Sequence, residues 1–422
     1  MACAHFLVFV FLIQNVSARR VRTWEMLSDM AMVGNLTMGP VMDEETLDGL
    51  NQSMASAYAP CPRNTLLRGE PCPDGSSLKS VEHLGASSFG VVWLVKALSH
   101  NEMRVLKVPK PKPKPRRIAD IEIKNNEILQ QLTPADGSDF VAKMVSSYTR
   151  YHSFVSEFAG DPMDNLDLSS LRRDGLWKQI ICDGLRGLSA IEKAGLVHGD
   201  ISPGNAALHQ ASERVRRPHV KFFDFGNSAL FSEFSLGKVS KGFSTPEDQL
   251  CFMKSYPVAA EALGAQANDA YAHDIFQWGC VAVWLVTGKF ATLGQDMKYY
   301  VRNRSQPDTL NEMFGIASRQ YREEAARGKS ASERARIGSC AREPLEAGAN
   351  LWHPFVRSAV RDMVLKLGQK NGLKEKDLVE LMALLLDDSD SGLLSAFIEK
   401  RPHGIDAIGQ PFCASAAAPP PR

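Results

Sequence analysis

The sequence predicts an α+β protein with two lobes, a small β-rich N-lobe followed by a larger helical C-lobe. Two short β-branched runs, Val91–Val95 and Met103–Val108, surround a polar turn and indicate a β-hairpin. Apolar residues then recur at helical spacing in 118–132 and again in 176–191, and the second half of the chain is mostly helical in pattern. The chain has 422 residues, 44% of them hydrophobic, which is enough to bury a large core.

The charge balance excludes several classes of partner. The chain has 49 basic and 48 acidic residues and a formal net charge of +1. No global field therefore attracts it to nucleic acid or to an anionic membrane, and no nucleic-acid partner is expected. Its 8 cysteines are scattered and form no CxxC pair, so a metal held by thiolates is not expected either.

The N-terminus indicates the compartment. Phe6–Ile13 is an apolar core, and Val16-Ser17-Ala18 supplies small residues where a signal peptidase would cleave. We interpret 1–18 as a signal peptide; the alternative is an ordinary buried start to the fold. No later stretch reaches the length of uncharged apolar sequence that spans a bilayer, so no transmembrane segment is expected after signal removal.

The remaining chain divides by composition. Residues 19–77 lack sustained periodicity and read as a poorly ordered arm or prosegment. The domain is predicted over 78–412, and 413–422 as a disordered tail. Loss of Cys3 with the signal leaves an odd number of cysteines, and Cys61 with Cys72 is the bridge we expect. The N-x-S/T triplets, which carry glycans only if the chain meets the glycosylation machinery, begin at Asn35, Asn51 and Asn303.

A Lys/Pro tract separates the hairpin from the first helical pattern. In 110–117 the basic residues alternate with prolines, which favours an extended polyproline conformation with solvated charges. The tract is either an inert loop or a docking site for an acidic partner.

A glycine-bounded loop opens the hairpin. Glycines permit a backbone that lies over phosphates and donates N–H groups to them. A lysine on the following strand is placed to reach the same phosphates. The candidate nucleotide-binding residues are Gly85, Ala86, Ser87, Ser88, Phe89, Gly90, Val92 and Lys107.

Two further segments carry carboxylates. In 198–205, after the long helical pattern, Asp200 could accept a hydroxyl proton while Asn205 holds a metal. In 222–226 Asp224 ends a strand and precedes a glycine, which suits a magnesium ion that bridges phosphates. Each of these patterns is a weak signal alone. The glycine-bounded loop, Lys107 and the segments 198–205 and 222–226, found in this order, form a specific combination.

In this order the motifs resemble the eukaryotic protein kinase family, from about Leu78 to Phe412. The resemblance implies a two-lobed kinase-like fold with ATP and Mg²⁺ as cofactors and protein substrates as partners. It implies that Lys107 orients the phosphates and that Glu157 and Ala159 contact the adenine.

The same resemblance assigns roles in the second half. Asp200 resembles the catalytic base, while Asn205 and Asp224 resemble the metal ligands. Asp274–Gly279 resembles the D-x-W-x-x-G block, and Ser244–Glu247 stands in the place of the APE motif. Arg401 resembles the arginine that pairs with the APE glutamate.

Four positions depart from the family pattern. Ser87 replaces a loop glycine. Gly199 stands where most members carry arginine, so activity is not expected to need activation-loop phosphorylation. Ser202 replaces a lysine, which removes one cation near the phosphoryl group. The helix glutamate is either Glu122 or Glu127, because the alignment puts Asn125 at its position.

Within the family the sequence is similar to the secreted rhoptry-type kinases of intracellular parasites, through its signal peptide, Gly199 and Gln277. This implies a secreted Ser/Thr kinase in a rhoptry-like organelle, delivered into a host cell, with host proteins as substrates or partners. Two alternatives stay open: a pseudokinase that acts as scaffold or allosteric partner, and a small-molecule phosphotransferase. The oligomeric state is not predicted.

Overall fold

The structure is a computed structural model of the chain. It describes residues 66–67, 78–86, 89–97, 101–110, 112–148, 152–210, 215, 217–236, 258–259, 271–288, 330, 357, 360–387, 391–395 and 400–416. The chain forms two compact units. The first comprises Met1–Asp120 and Val145–Phe158, and the second comprises Ile121–Met144 and Ala159–Arg422.

The first unit is built on one antiparallel sheet of six strands in the order β1-β2-β3-β4-β6-β5. The strands are β1 (Leu66–Leu67), β2 (Leu78–Ala86), β3 (Gly90–Ala97), β4 (Glu102–Pro109), β5 (Met144–Tyr148) and β6 (Ser153–Glu157). The predicted hairpin is confirmed as β3 and β4, which pair from Gly90–Pro109 to Ala97–Glu102. Strand β1 lies inside the segment predicted as an arm, where it pairs with β2.

A compact apolar cluster covers one face of this sheet. Its β-branched and aromatic side chains alternate along β3, so that one face is buried, as expected for a sheet packed on one side. The members at most 5% exposed include Leu78, Val91, Trp93, Val95, Leu106 and Val108. This cluster fixes the register in which the nucleotide-binding candidates are presented.

Helix α1 (Pro113–Leu129) follows the sheet, and its start corrects the prediction for the Lys/Pro tract. The tract is helical from Pro113 onward instead of extended. Proline is tolerated there because Pro113 and Pro115 lie in the first turn, where backbone N–H groups have no acceptor within the helix. The bond from the Arg116 N–H to the Lys112 carbonyl, 3.2 Å long, marks the beginning of the helical turn.

The second unit is mainly helical. Its helices are α2 (Leu168–Arg173), α3 (Leu176–Lys193), α4 (Tyr271–Thr287), α5 (Glu375–Leu385), α6 (Gly404–Ile408) and α7 (Pro411–Ala416), and residues 360–370 are also helical. Its strands are β7 (Leu196–Val197), β8 (Ala206–His209), β9 (His219–Phe222), β10 (Ala229–Leu230), β11 (Ser235–Leu236) and β12 (Val258–Ala259). They pair antiparallel as β7 with β10, β8 with β9, and β11 with β12. Unit and sheet assignments agree with the predicted two-lobed α+β class.

Helices α3 and α4 form the centre of the second core. Helix α4 is buried along its whole length, and the Trp278 indole N–H donates to the Ile181 carbonyl over 2.9 Å. A Cβ on Gly184 would lie 1.9 Å from the Trp278 ring, so the glycine permits the indole to lie against α3. Because α3 is held in this way, the loop that follows it has a fixed starting point.

A disulfide joins helix α3 of the second unit to its C-terminal helix α7. Cys182 of α3 and Cys413 of α7 are bonded, with their Cα atoms 5.5 Å apart. The predicted end of the domain at Phe412 therefore falls inside α7, and Cys413 belongs to the buried core instead of a disordered tail. Among the described cysteines Cys280 is free and buried, and burial raises the pKa of its thiol to about 12.

Several sequence predictions lie outside the described residues. They concern the signal peptide, the Cys61–Cys72 bridge, the three glycosylation triplets, Ser87 with Ser88, and the APE-like segment Ser244–Glu247. Within the described ranges, every helix is too short or too polar to traverse a bilayer.

Candidate active site

Three of the nucleotide-binding candidates lie in one row across the sheet of the first unit. Gly85 of β2 is opposite Val92 of β3, Val92 is opposite Lys107 of β4, and Lys107 is opposite Phe154 of β6. Directly paired residues of neighbouring strands present their side chains on the same face. The half-buried Lys107 side chain therefore projects from the same face as Val92, next to the loop that joins β2 and β3.

The two glycines of this loop have different surroundings. A Cβ on Gly90 would lie 2.7 Å from the Val108 carbonyl oxygen, so only glycine fits where β3 approaches β4 there. Gly85 has open space around it. Phe89 at the loop is 36% exposed, and the Lys114 ammonium lies 5.8 Å from its ring centroid.

The two adenine-binding candidates lie on either side of a boundary between the units, which falls between Phe158 and Ala159. Glu157 is half-buried and ends β6 opposite Arg104. Ala159 is buried in the second unit, where its carbonyl accepts from His209. Their contact with the adenine stays a prediction.

In the second unit, side chains of α4 hold the backbone around Asp200. The Asp274 carboxylate accepts from the N–H groups of His198 (2.6 Å) and Gly199 (2.9 Å). The Gln277 side-chain oxygen accepts from the Ile201 N–H over 2.9 Å. Asp274 and Gln277 are at most 3% exposed, and charge-assisted bonds in such an environment are the strong ones. The backbone on either side of Asp200 is therefore fixed.

The Asp200 carboxylate is held by an amide on one side. Asn227 Nδ2 donates to Asp200 Oδ2 over 3.1 Å. Asp200 is 7% exposed, and none of the described residues donates a hydrogen bond to its Oδ1. A buried oxygen without a donor is costly, and a substrate hydroxyl is a group that would satisfy it.

Asn205 and Asp224 lie at the same end of the β8–β9 hairpin. Ala206 pairs with Phe222, and the Phe223 N–H donates to the Asn205 carbonyl over 3.1 Å. The Asn205 amide nitrogen donates to the Asp200 carbonyl over 2.8 Å, so its side-chain oxygen faces away from that bond. The bond ties this end of the hairpin to the loop around Asp200.

Asp224 is exposed and has a left-handed backbone, with φ of 65°. A non-glycine residue adopts this conformation rarely, and such conformations cluster at functional sites.

The side chains of Asp224 and Asn205 are the kind of protein ligand that magnesium uses. Mg²⁺ is usually bound by one or two carboxylates together with phosphate oxygens and water. Asp224 and Asn205 supply oxygen donors of this kind. In the described part of the chain no group of three or more His, Cys, Asp or Glu residues is placed to hold a metal.

The segment after Asp224 is fixed by packing and by an asparagine. Phe225 is 1% exposed and lies 4.9 Å from the His198 ring centroid, while His198 Nε2 donates to the Phe223 carbonyl. His198 therefore packs against Phe225 and supports the segment around Asp224. Asn125 of α1 donates to the carbonyls of Phe225 (3.2 Å) and Ser228 (2.8 Å).

The two glutamates that the sequence left open differ in burial. Glu122 is 2% exposed, whereas Glu127 is exposed. Asn125, which the alignment placed at the glutamate position, is used to hold the segment after Asp224. Glu122 is therefore the buried carboxylate of α1.

Arg401 is a buried residue of the C-terminal segment. It is 2% exposed, donates to the carbonyls of Ser395 (2.8 Å) and Ala272 (3.0 Å), and lies over the Phe276 ring. The predicted pairing with the APE glutamate stays a prediction, because Glu247 lies outside the described residues.

Three functional contacts were not found from the sequence. These are the bond from Asn227 to Asp200, the acceptor role of Gln277, and the bonds from Asn125 to the segment after Asp224. The polar character of Gln277 inside a largely apolar helix was the available signal, since a buried amide needs partners. For the two asparagines no signal in the local sequence identifies the partner.

Comparison with known proteins identifies the family. The protein kinase domain family matches residues 78–351. The chain belongs to that family.

Two relatives and a solved structure illustrate the similarity. Mitogen-activated protein kinase kinase 7 of Arabidopsis thaliana is 26% identical over 73% of this chain and 92% of its own length. Mitogen-activated protein kinase 14 of Xenopus laevis is 26% identical over 40% of this chain and 43% of its own. A Plasmodium kinase domain superposes with a TM-score of 0.51 at 16% identity, covering 84% of this chain and 98% of that chain, which supports the fold.

Proposed function

We propose that the chain is a secreted Ser/Thr protein kinase that transfers the γ-phosphoryl group of Mg-ATP to a protein hydroxyl. The observation that carries the proposal is the state of Asp200, whose backbone is clamped by Asp274 and Gln277 and whose Oδ1 is buried without a donor among the described residues. A structural aspartate has no need of such an oxygen, whereas a group that receives a hydroxyl proton does.

Each candidate residue has a role in this reaction. Magnesium, when bound, would neutralise charge on the phosphates. Asp224 and the side-chain oxygen of Asn205 would hold it, and Lys107 would orient the phosphate oxygens. Asp200 accepts the hydroxyl proton of the substrate, and the backbone of 85–90 excludes water. Glu157 and Ala159 present the hinge backbone to the adenine.

Secretion is supported by two features of the chain. The apolar run Phe6–Ile13 has the character of a signal peptide. The Cys182–Cys413 disulfide is of a kind that forms and persists in oxidising compartments and is rare in the cytosol. Delivery from a rhoptry-like organelle to host proteins is the form of secretion that the sequence resemblance implies.

A phosphoryl-transfer assay tests the proposal. The full chain is incubated with Mg-ATP that carries a label in its γ-phosphoryl group, in the presence of a mixed protein extract or of small alcohols, and the modified residues are identified by mass spectrometry. Transfer to serine or threonine of proteins is the expected result. Nucleotide binding without transfer would favour the scaffold alternative, and transfer to small alcohols alone would favour a small-molecule phosphotransferase.

The helix glutamate gives a matched pair of variants. We propose that Glu122, the buried carboxylate of α1, is the helix glutamate that the protein kinase family uses in phosphoryl transfer. Glu122→Gln is expected to lower kcat/KM by roughly ten- to a hundred-fold, the value of one hydrogen bond between charged groups. Steady-state kinetics measures this. Glu127→Gln is the control, because Glu127 is exposed on the same helix, and an equal loss in both variants would contradict the assignment.

A further inference from the structure

We propose that Asn227 is a positioning residue that sets the orientation of the Asp200 carboxylate. The inference rests on the proposed function and deepens it. Asn227 directly follows the Asp224-Phe225-Gly226 segment, and its Nδ2 donates to Asp200 Oδ2 over 3.1 Å. Asn227 itself is exposed, so its amide is not placed there by burial in the core.

The other contacts of the loop hold the main chain of Asp200 but do not fix the rotation of its carboxylate. Asp274 and Gln277 hold the backbone N–H groups on either side of it, and Asn205 donates to its carbonyl. These bonds fix the main chain only. The terminal torsion of an aspartate is broad, so the plane of the carboxylate can rotate about the Cβ–Cγ bond. The bond from Asn227 fixes that rotation.

The orientation of the Asp200 carboxylate has a chemical consequence. Because Oδ2 accepts from Asn227, Oδ1 is the oxygen with no donor among the described residues, and it is buried. A proton acceptor works best when its lone pair is already directed at the donor, since no reorientation is then needed in the transition state. Asn227 thus reserves Oδ1 for the substrate hydroxyl.

The backbone of Asn227 is held where its side chain can reach. Its neighbour Ser228 is 3% exposed, donates through Oγ to the His198 carbonyl over 3.0 Å and accepts from Asn125. On the other side, Phe225 is buried against His198. The segment that carries Asn227 is therefore anchored at both ends.

Gly199 makes this approach possible. It has φ of +75°, and a Cβ there would lie 3.0 Å from the Asn227 carbonyl oxygen. A side chain at 199 would push the two segments apart and carry added backbone strain. The family arginine is absent at this position, and the amide of Asn227 supplies a contact to the catalytic loop from the following segment instead.

Substitution of Asn227 tests the inference through kinetics. Asn227→Leu has nearly the same shape without a donor, and it is expected to lower kcat roughly ten-fold or more while KM for ATP changes less than about two-fold. Asn227→Asp is expected to lose more, because a second carboxylate then faces Asp200. Ser232→Asp is the control for added charge, since Ser232 is exposed nearby on the same segment.

A double-mutant cycle separates positioning from general damage. Gly199→Ala is expected to lower kcat, and the double variant with Asn227→Leu to be no worse than the more damaged single variant, because both changes remove one contact. Gly175→Ala is the matched control. Gly175 has φ of +71° with nothing within 4 Å of an added Cβ, so it reports the strain alone.

The outcomes for the inference and for the proposed function are distinct. Transfer by the wild-type chain together with undiminished kcat in Asn227→Leu would overturn the inference and leave the proposed function intact. Losses of kcat that multiply fully in the double variant would also overturn it, since the two residues would then act independently. Absence of Asp200-dependent transfer by the wild-type chain would overturn both.

Discussion

Replacement of Asp200 by asparagine is expected to abolish phosphoryl transfer while nucleotide binding is retained. The change removes the proton acceptor and keeps the shape of the side chain, so kcat should fall by roughly 10²- to 10⁴-fold, the usual contribution of a general base. The backbone bonds made by Asp274 and Gln277 do not involve the Asp200 side chain and should persist. Single-turnover kinetics with Mg-ATP and fluorescence titration with a nucleotide analogue measure the two effects.

An exposed carboxylate provides the control for this variant. Asp406 lies on α6 and is exposed, so Asp406→Asn changes the charge equally and should leave kcat unchanged. A wild-type rate in Asp200→Asn would remove Asp200 from the reaction. Loss of nucleotide binding together with a lowered melting temperature would mean that Asp200 supports the fold instead of the chemistry.

Removal of the Cys182–Cys413 disulfide is expected to destabilise the second unit by roughly 2–5 kcal/mol. The bond links positions separated by 231 residues, and a cross-link that closes a long loop restricts the unfolded chain strongly. Cys182→Ala, Cys413→Ala and the double variant should therefore melt at similar, lower temperatures, because each lacks the same bond. Thermal unfolding followed by circular dichroism measures this.

A reductant and a Cys280 variant test whether the loss of stability comes from the disulfide. Dithiothreitol should lower the melting temperature of the wild-type chain and leave that of the double variant unchanged. Cys280→Ala is the control, because Cys280 is buried in the same core without a bond, and the variant should keep the sensitivity to reductant. A wild-type chain that is insensitive to reductant, with both thiols open to alkylation, would contradict the presence of the bond.

The sequence predicted those parts of the fold that depend on local periodicity. The β3–β4 hairpin follows from two β-branched runs, and α3 follows from apolar residues spaced for one helical face. The motif residues Asp200, Asn205 and Asp224 are brought to one region of the second unit, as their order along the chain indicated. These predictions succeed because the residues involved are close in sequence or fixed by a spacing.

The parts that were missed depend on distant or competing interactions. Cys182 and Cys413 are far apart in the sequence, and nothing local distinguishes them from other cysteines. The start of α1 at Pro113 was predicted as extended because proline alternates with charge there, although proline is compatible with a first helical turn. The partner of Asn227 depends on how closely two loops approach each other. Gly199 permits this approach, and the spacing of residues along the sequence does not reveal it.

Titration calorimetry with a non-hydrolysable ATP analogue tests the central proposal, that the chain binds one magnesium-bound triphosphate with an affinity that depends on Lys107, Asp224 and Asn205. The full chain should bind the analogue with a one-to-one stoichiometry, and binding should weaken when magnesium is removed. Lys107→Ala and Asp224→Ala should each weaken it by about ten-fold or more, and the Asp224 variant should lose its dependence on magnesium. Absence of heat with magnesium present, or affinity that neither variant changes, would contradict the account.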